Sequence, residues 1–268
     1  MKLVAVVRAS DRPEQAVQAL AEGTGLTLAE ARMRLAPEPP VLVARLERDQ
    51  GDALVASLRA SGLAALAVDD SCPTDRDAVL VHRFALADAG GTFTPRSGQS
   101  VEVAWTQVAA ILRGLRASRT DVQRTEKSKS FSIGRAVLTG GLVASRTSTT
   151  STRSSSESTE QLVLLYLRDG RALRLAEQEL EFSCLGPAMQ PSSTGNMVEL
   201  AGRLRARAGG AFYDERLLRL GRRPLPFVID GGSRTTTAQI VTTRSDTSST
   251  LDVLAEVMWR ALLEGLLP

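Results

Sequence analysis

The stretch TGLTLAEARMRLAPEPP, residues 24–40, followed after eleven residues by DALVASLRASGLAALAVD, residues 52–69, decides the fold of the first part of the chain. Thr27 with Glu30 three residues later forms a capping-box pattern, so a helix is expected over 28–35. The prolines at 37, 39 and 40 end it, because the residue before a proline is pushed out of the helical region. Gly25 sits between this helix and the preceding one, where the turn needs a positive φ. In the second segment Leu54, Val55 and Leu58 recur at helical spacing over 49–61, Gly62 supplies the stop, and 63–68 reads as a strand.

Working outward, KLVAVVR at 2–8 is a Val-rich apolar run consistent with a strand. Asp11 and Pro13 mark the start of a helix over 13–22 that turns Ala16, Val17, Leu20 and Ala21 inward. VLVARL at 41–46 reads as another strand. The order over 1–70 is therefore βααβαβ.

This order and the quoted motifs resemble the C-terminal domain of the bacterial ribosomal stalk protein, a fold shared by the Clp protease N-degron adaptor. The resemblance covers about a quarter of the chain. The basic positions with which the stalk family recruits translation GTPases fall here on Gln18, Ala21, Ala29 and Arg32, so Arg32 alone keeps its charge and is the candidate partner contact of this module. The adaptor's amino-terminus grip has a partial echo in Ser10-Asp11, and His82, the single histidine, lies beyond the module.

Residues 69–77, DDSCPTDRD, read as a polar linker without the alternating ligands and Gly of a calcium loop. Strands are expected at 78–86, 92–95, 100–104, 108–115, 161–168 and 172–175, then an amphipathic helix at 196–208. This arrangement with VEVAWTQVAAILRG, residues 101–114, is similar to a bacterial pleckstrin-homology domain. Such a domain implies a small barrel capped by a helix and, in some members, an anionic-lipid site. Arg113, Arg116, Arg119, Arg124, Lys127 and Lys129 are the candidates for such a site; their alternative role is to protect a solvated strand edge by charge.

An insertion over 119–159 contains the apolar stretch SFSIGRAVLTGGLVAS, too short to span a bilayer, and the Ser/Thr-rich SRTSTTSTRSSSEST, expected as a mobile or long-hairpin tip. Further on, 225–229 reads as a strand, Gly231-Gly232 as a turn, and TTTAQIVTT as a β-hairpin arm. A helix over 251–263, capped by Ser249 or Thr250, carries Leu251, Leu254, Ala255, Met258, Trp259 and Leu262 on a broad apolar face. That face docks on the second module or, in the alternative, offers Met258, Trp259 and Leu262 to a partner.

The fold class that follows is α+β: a stalk-like domain at 1–70, a mainly-β pleckstrin-homology-like barrel with its capping helix at 77–216, and a C-terminal hairpin and helix at 217–268. With 33 basic against 30 acidic residues, the charge is too balanced for a nucleic-acid binder. Cys72 and Cys184 have neither metal-site nor disulfide-framework spacing, which fits a reducing compartment. Without a leader pattern or a long apolar run, the chain reads as soluble and cytoplasmic. No nucleophile elbow, phosphate loop, zinc motif or cofactor fingerprint is present, and the carboxylates Glu179 and Glu181 have no evident companion site. No catalytic, metal or cofactor residue is therefore assigned, and the expected function is protein binding as an adaptor. Peripheral binding to anionic lipid, or an enzyme with an unrecognised carboxylate site, are the alternatives. Partner and oligomeric state are not encoded in any motif.

Overall fold

In the computed structural model the described residues are 1–70, 78–131, 145–223, 225–228, 231–237 and 240–268. They form two compact units, the larger made of 1–117, 159–230 and 247–268, the smaller of 118–158 and 231–246.

The larger unit begins with β1 (Lys2–Arg8), α1 (Pro13–Thr24), α2 (Leu28–Leu35), β2 (Val41–Leu46), α3 (Arg48–Ala60) and β3 (Ala64–Asp69), the expected βααβαβ order. The capping box is formed: the Thr27 side chain accepts from the Glu30 N–H at 3.3 Å, and the Glu30 carboxylate accepts from the Thr27 N–H at 2.9 Å. Gly25 takes φ +71° and closes α1 by donating to the Ala21 carbonyl. The start of α1 differs from expectation. Arg12 rather than Asp11 is the cap, with Pro13 at the first position, and Ser10 accepts from the Arg12 N–H at 2.9 Å. A three-stranded antiparallel sheet of order β2-β1-β3 results.

Both faces of that sheet are covered. On one, Val4 and Val6 meet Val17 and Leu20 of α1 and Leu54 and Leu58 of α3. On the other, Leu3, Ala5 and Val7 belong to a core shared with the C-terminal helix. The unbroken apolar run of β1 is the signature of a strand buried on two sides, since successive side chains point to opposite faces.

A second sheet contains β4 (Ala78–Leu86), β5 (Gly90–Pro95), β6 (Val101–Ala104), β7 (Val108–Phe131), β8 (Ser145–Leu167) and β9 (Ala172–Ala176), with β10 (Phe212–Asp214) beside β7. The same alternation holds in β8: Val163, Leu165 and Leu167 face Met197, Leu200 and Leu204 of α4 (Ser193–Arg207), while Leu162 and Leu164 face the C-terminal helix. The α+β class is realised. Within the second module, for which the resemblance implied a small barrel, the strands form an open mixed sheet. Its order in the larger unit is β7-β8-β9-β4-β5-β6, β4 and β9 run parallel, and no pairing among the described residues joins β6 to β7.

After the short α5 (Leu217–Leu220), residues 225–228 turn and do not form the expected strand; Pro226 has no N–H to give a ladder, and Phe227 adopts φ +70°. The last helix, α6 (Ser248–Leu263), starts at Thr247 and not at Ser249 or Thr250. Thr247 is held from outside the helix, its Oγ1 accepting from the Ala117 N–H at 2.9 Å. Leu251, Leu254, Val257, Met258 and Ala261 are buried between the two sheets. The C-terminal segment is thus no separate domain. Its helix is the middle layer of the larger unit.

In the smaller unit the expected hairpin is present as β11 (Gly231–Thr237) and β12 (Ile240–Asp246), with Thr235 opposite Thr242. β12 pairs with β7 from Ser118 to Arg124, and the Ser/Thr-rich segment, expected as a mobile or long-hairpin tip, is part of strand β8 beside β7. Ser151 to Thr159 are exposed throughout, so this strand rests on backbone pairing and not on burial. The linker residues 71–77 and most of the apolar stretch, 132–144, lie outside the described residues.

Two outcomes follow from the central helix. Expressed alone, residues 1–70 leave Leu3, Val7, Leu42, Leu66 and Val68 uncovered, so the fragment is expected to self-associate in sedimentation equilibrium; a fragment monomeric at all concentrations would contradict this layering. Leu254 is fully buried, and Leu254→Ala is expected to cost roughly 3 kcal/mol in urea unfolding. A midpoint close to that of the parent would show the helix to be superficial.

Candidate binding site

Of the residues singled out by the sequence, Met258 and Trp259 are buried within the chain's own core, 1% and 8% exposed, and are not a free partner face. Trp259 stacks on Tyr166 with ring centroids 4.9 Å apart. Leu262 is half-buried. Arg32 is exposed but already bonded to Glu14 at 2.7 Å, bridging α1 and α2. Beside it, Leu28 and Met33 stand exposed on α2, which helical spacing did not single out.

The four arginines among the basic candidates are not a set of free cations. Arg113 is buried and donates to Glu215 at 2.7 Å and to Gln161 at 3.1 Å. Arg116 pairs with Glu160 at 2.5 Å and reaches Ser248. Arg119 pairs with Asp121 at 3.1 Å, and Arg124 is also engaged. The side chains of Lys127 and Lys129 lie outside the described residues. Strand spacing made these residues look like a cluster, whereas ion pairs to other elements had already claimed Arg113 and Arg116.

Glu179 lines a cleft built by a divergence of strands, and Glu181 follows two residues later. β4 pairs with β9 from Ala78 to Val81, and with β5 from Val81 onward, where Val81 stands opposite Pro95. Past Pro95 the chain bends away through residues 96–98, and a Thr94–Ser100 hydroxyl contact of 2.8 Å closes the loop. The edge of residues 78–80 turned away from β9 therefore has no strand partner among the described residues. It borders an open cleft of about 440 Å³ lined by Val79, Leu80, His82, Pro95, Gln99 and Val101, within the size range of ligand sites. Leu80 is 44% exposed.

His82 lies at a break in register between Val81 and Arg83. Its carbonyl accepts from the Glu181 N–H at 2.8 Å, and its Nδ1 is 2.5 Å from the Glu179 carbonyl. A carbonyl can only accept, so Nδ1 carries a proton and donates to it. Glu179 pairs with Arg96 at 3.1 Å and Glu181 with Arg83 at 2.5 Å. The Ser183 hydroxyl, then Arg83, hold the Glu181 carboxyl below its ordinary value, so it is ionised and suited to anchoring the rim. Among the described residues no group of His, Cys, Asp and Glu could hold a metal ion.

No protein-family model matches the chain, and neither a curated protein nor a solved structure matches it significantly. Among the described residues no helix is long and apolar enough to cross a membrane.

Near this cleft, Glu177 fixes the start of α4. Burial pushes its carboxyl up, but the Gln161 N–H at 2.9 Å and the Ser193 and Thr194 hydroxyls outweigh that and hold it below its ordinary value of 4.5. A depressed folded pKa stabilises the fold above the unfolded value, and that contribution disappears as pH falls through the folded one. Glu177→Gln is therefore expected to melt below the parent at pH 7, with the gap closing below about pH 4.5. A gap that stays constant with pH would contradict the ionised role.

Proposed function

We propose that this chain is a non-enzymatic protein-binding adaptor that captures an extended peptide along the unpaired edge of residues 78–80. The observation that carries this reading is the coincidence of that edge with the cleft lined by Leu80, His82 and Val101. Strand addition takes affinity from main-chain hydrogen bonds and specificity from pockets for alternate side chains, and both are offered here. Exposed edges are commonly guarded by Lys, Pro or a bulge. Residues 78–80 are Ala, Val and Leu, with none of these devices, and the nearest register break is at His82.

Paired as they are with arginines, Glu179 and Glu181 favour a structural rim over acid–base work. A reducing, cytoplasmic setting suits the exposed thiol of Cys184. A three-residue edge supplies few hydrogen bonds at about 1 kcal/mol each, so affinity for a single peptide is expected to be weak, with a dissociation constant on the order of 100 μM.

The test is selection of a random twelve-residue peptide library displayed on phage against the full chain, followed by titration of the enriched peptides. Enriched sequences are expected to alternate apolar and polar residues, to lose binding to Leu80→Asp, and to lose it again when alternate peptide nitrogens are methylated. Equal binding to Leu80→Asp, indifference to N-methylation, or no enrichment would overturn the reading.

A further inference from the structure

A second cleft, of about 530 Å³, opens where the end of α6 meets the start of β7 and the loop before β10. It lies on other elements than the edge of residues 78–80 and does not depend on that reading. Its lining combines two chemistries. Trp259, Leu262 and Leu263 of α6, with Phe212 of β10, give an apolar wall, and Leu263 is 60% exposed. Arg168, at the end of β8, stands at the same cleft.

Arg168 is held in place without being neutralised. Its backbone N–H donates to the Gln107 carbonyl at 2.9 Å, and its Nε donates to the Thr106 carbonyl at 3.0 Å. Among the described residues it has no carboxylate partner, in contrast to Arg113, Arg116 and Arg174. A guanidinium fixed through Nε keeps its terminal nitrogens as paired donors, the fork that matches a carboxylate. The wall is fixed as well, because the Trp259 ring is stacked on Tyr166. An exposed leucine beside a buried tryptophan and an uncompensated cation complements a molecule that is apolar along its length and negative at one end.

We propose that this cleft binds a small hydrophobic acid, its carboxylate on Arg168 and its apolar body against Trp259, Leu262 and Leu263. The carboxylate gains a paired, charge-assisted contact that no ion pair among the described residues already supplies, and the alkyl body covers Leu263. An uncharged molecule of the same length gains only the second part.

The experiment uses the full chain and decanoate, kept below the concentration at which it forms micelles, with decanol as the uncharged counterpart. Calorimetry measures binding, and the two indole N–H resonances report its place. Trp105 is the internal reference, since it lies in the opposite core and donates to the Ala87 carbonyl at 2.9 Å. Decanoate is expected to bind with one equivalent, to move the Trp259 resonance and leave that of Trp105, and to bind at least tenfold more tightly than decanol. Arg168→Gln is expected to remove that preference, and Leu263→Asp to weaken decanoate at least tenfold, both with unchanged melting temperature. No saturable binding, equal affinity for decanol, or wild-type affinity in Arg168→Gln would each overturn the proposal.

Discussion

Burial of α6 between two sheets is the constraint on which the rest of the larger unit depends. Both sheets turn an apolar face to this helix: Leu3, Ala5 and Val7 on one side, Leu112, Leu162 and Leu164 on the other. A helix flanked on both sides must be apolar nearly all round, and the run from Val253 to Trp259 is buried without a break. Close approach is needed as well. A Cβ on Gly114 of β7 would fall 2.5 Å from a Leu251 methyl, so glycine lets the helix lie against the strand.

That burial includes charge. Alternation along β9 sends Leu173 and Leu175 toward α4 and Arg174 toward α6, where it meets Asp252 at 2.9 Å with both side chains almost wholly covered. Burial pulls the guanidinium's pKa down, and Asp252 opposes it. Such a pair adds little net stability over an apolar one, but removing one partner leaves a buried charge that costs about 3–5 kcal/mol. Its effect here is on register. With Arg116 reaching Ser248 and Glu160 from β7, the pair opposes rotation of α6 about its axis. Apolar packing, which has no direction, would resist that rotation less.

Both candidate sites arise where this layering ends. At one, residues 78–80 of β4, ahead of Val81, have no β5 partner because Pro95 and the bend beyond it cannot continue the ladder. At the other, α6 runs past the sheet and leaves Leu263 uncovered beside Arg168. Recognition surfaces are built at the margins of a rigid scaffold, where main-chain and side-chain groups have no internal partner.

Much of the local structure was legible in the sequence because its causes are local. The Thr27–Glu30 box, the turn at Gly25 and the proline stop after α2 each act within a few residues, and α2 and β2 occur where their residues place them. The apolar strands β1 and β8 were legible as strands, though not that both their faces would be buried in different cores. Sequence by itself determined the α+β class, the order of the first module and the existence of an apolar final helix. Only the tertiary structure decided that this helix is the central layer, that Arg113 and Arg116 are spoken for by Glu215 and Glu160, and that Arg168 is not. Periodicity records which side chains avoid water, but not which distant surface covers them. An arginine looks the same in sequence whether or not a carboxylate a hundred residues away has reached it.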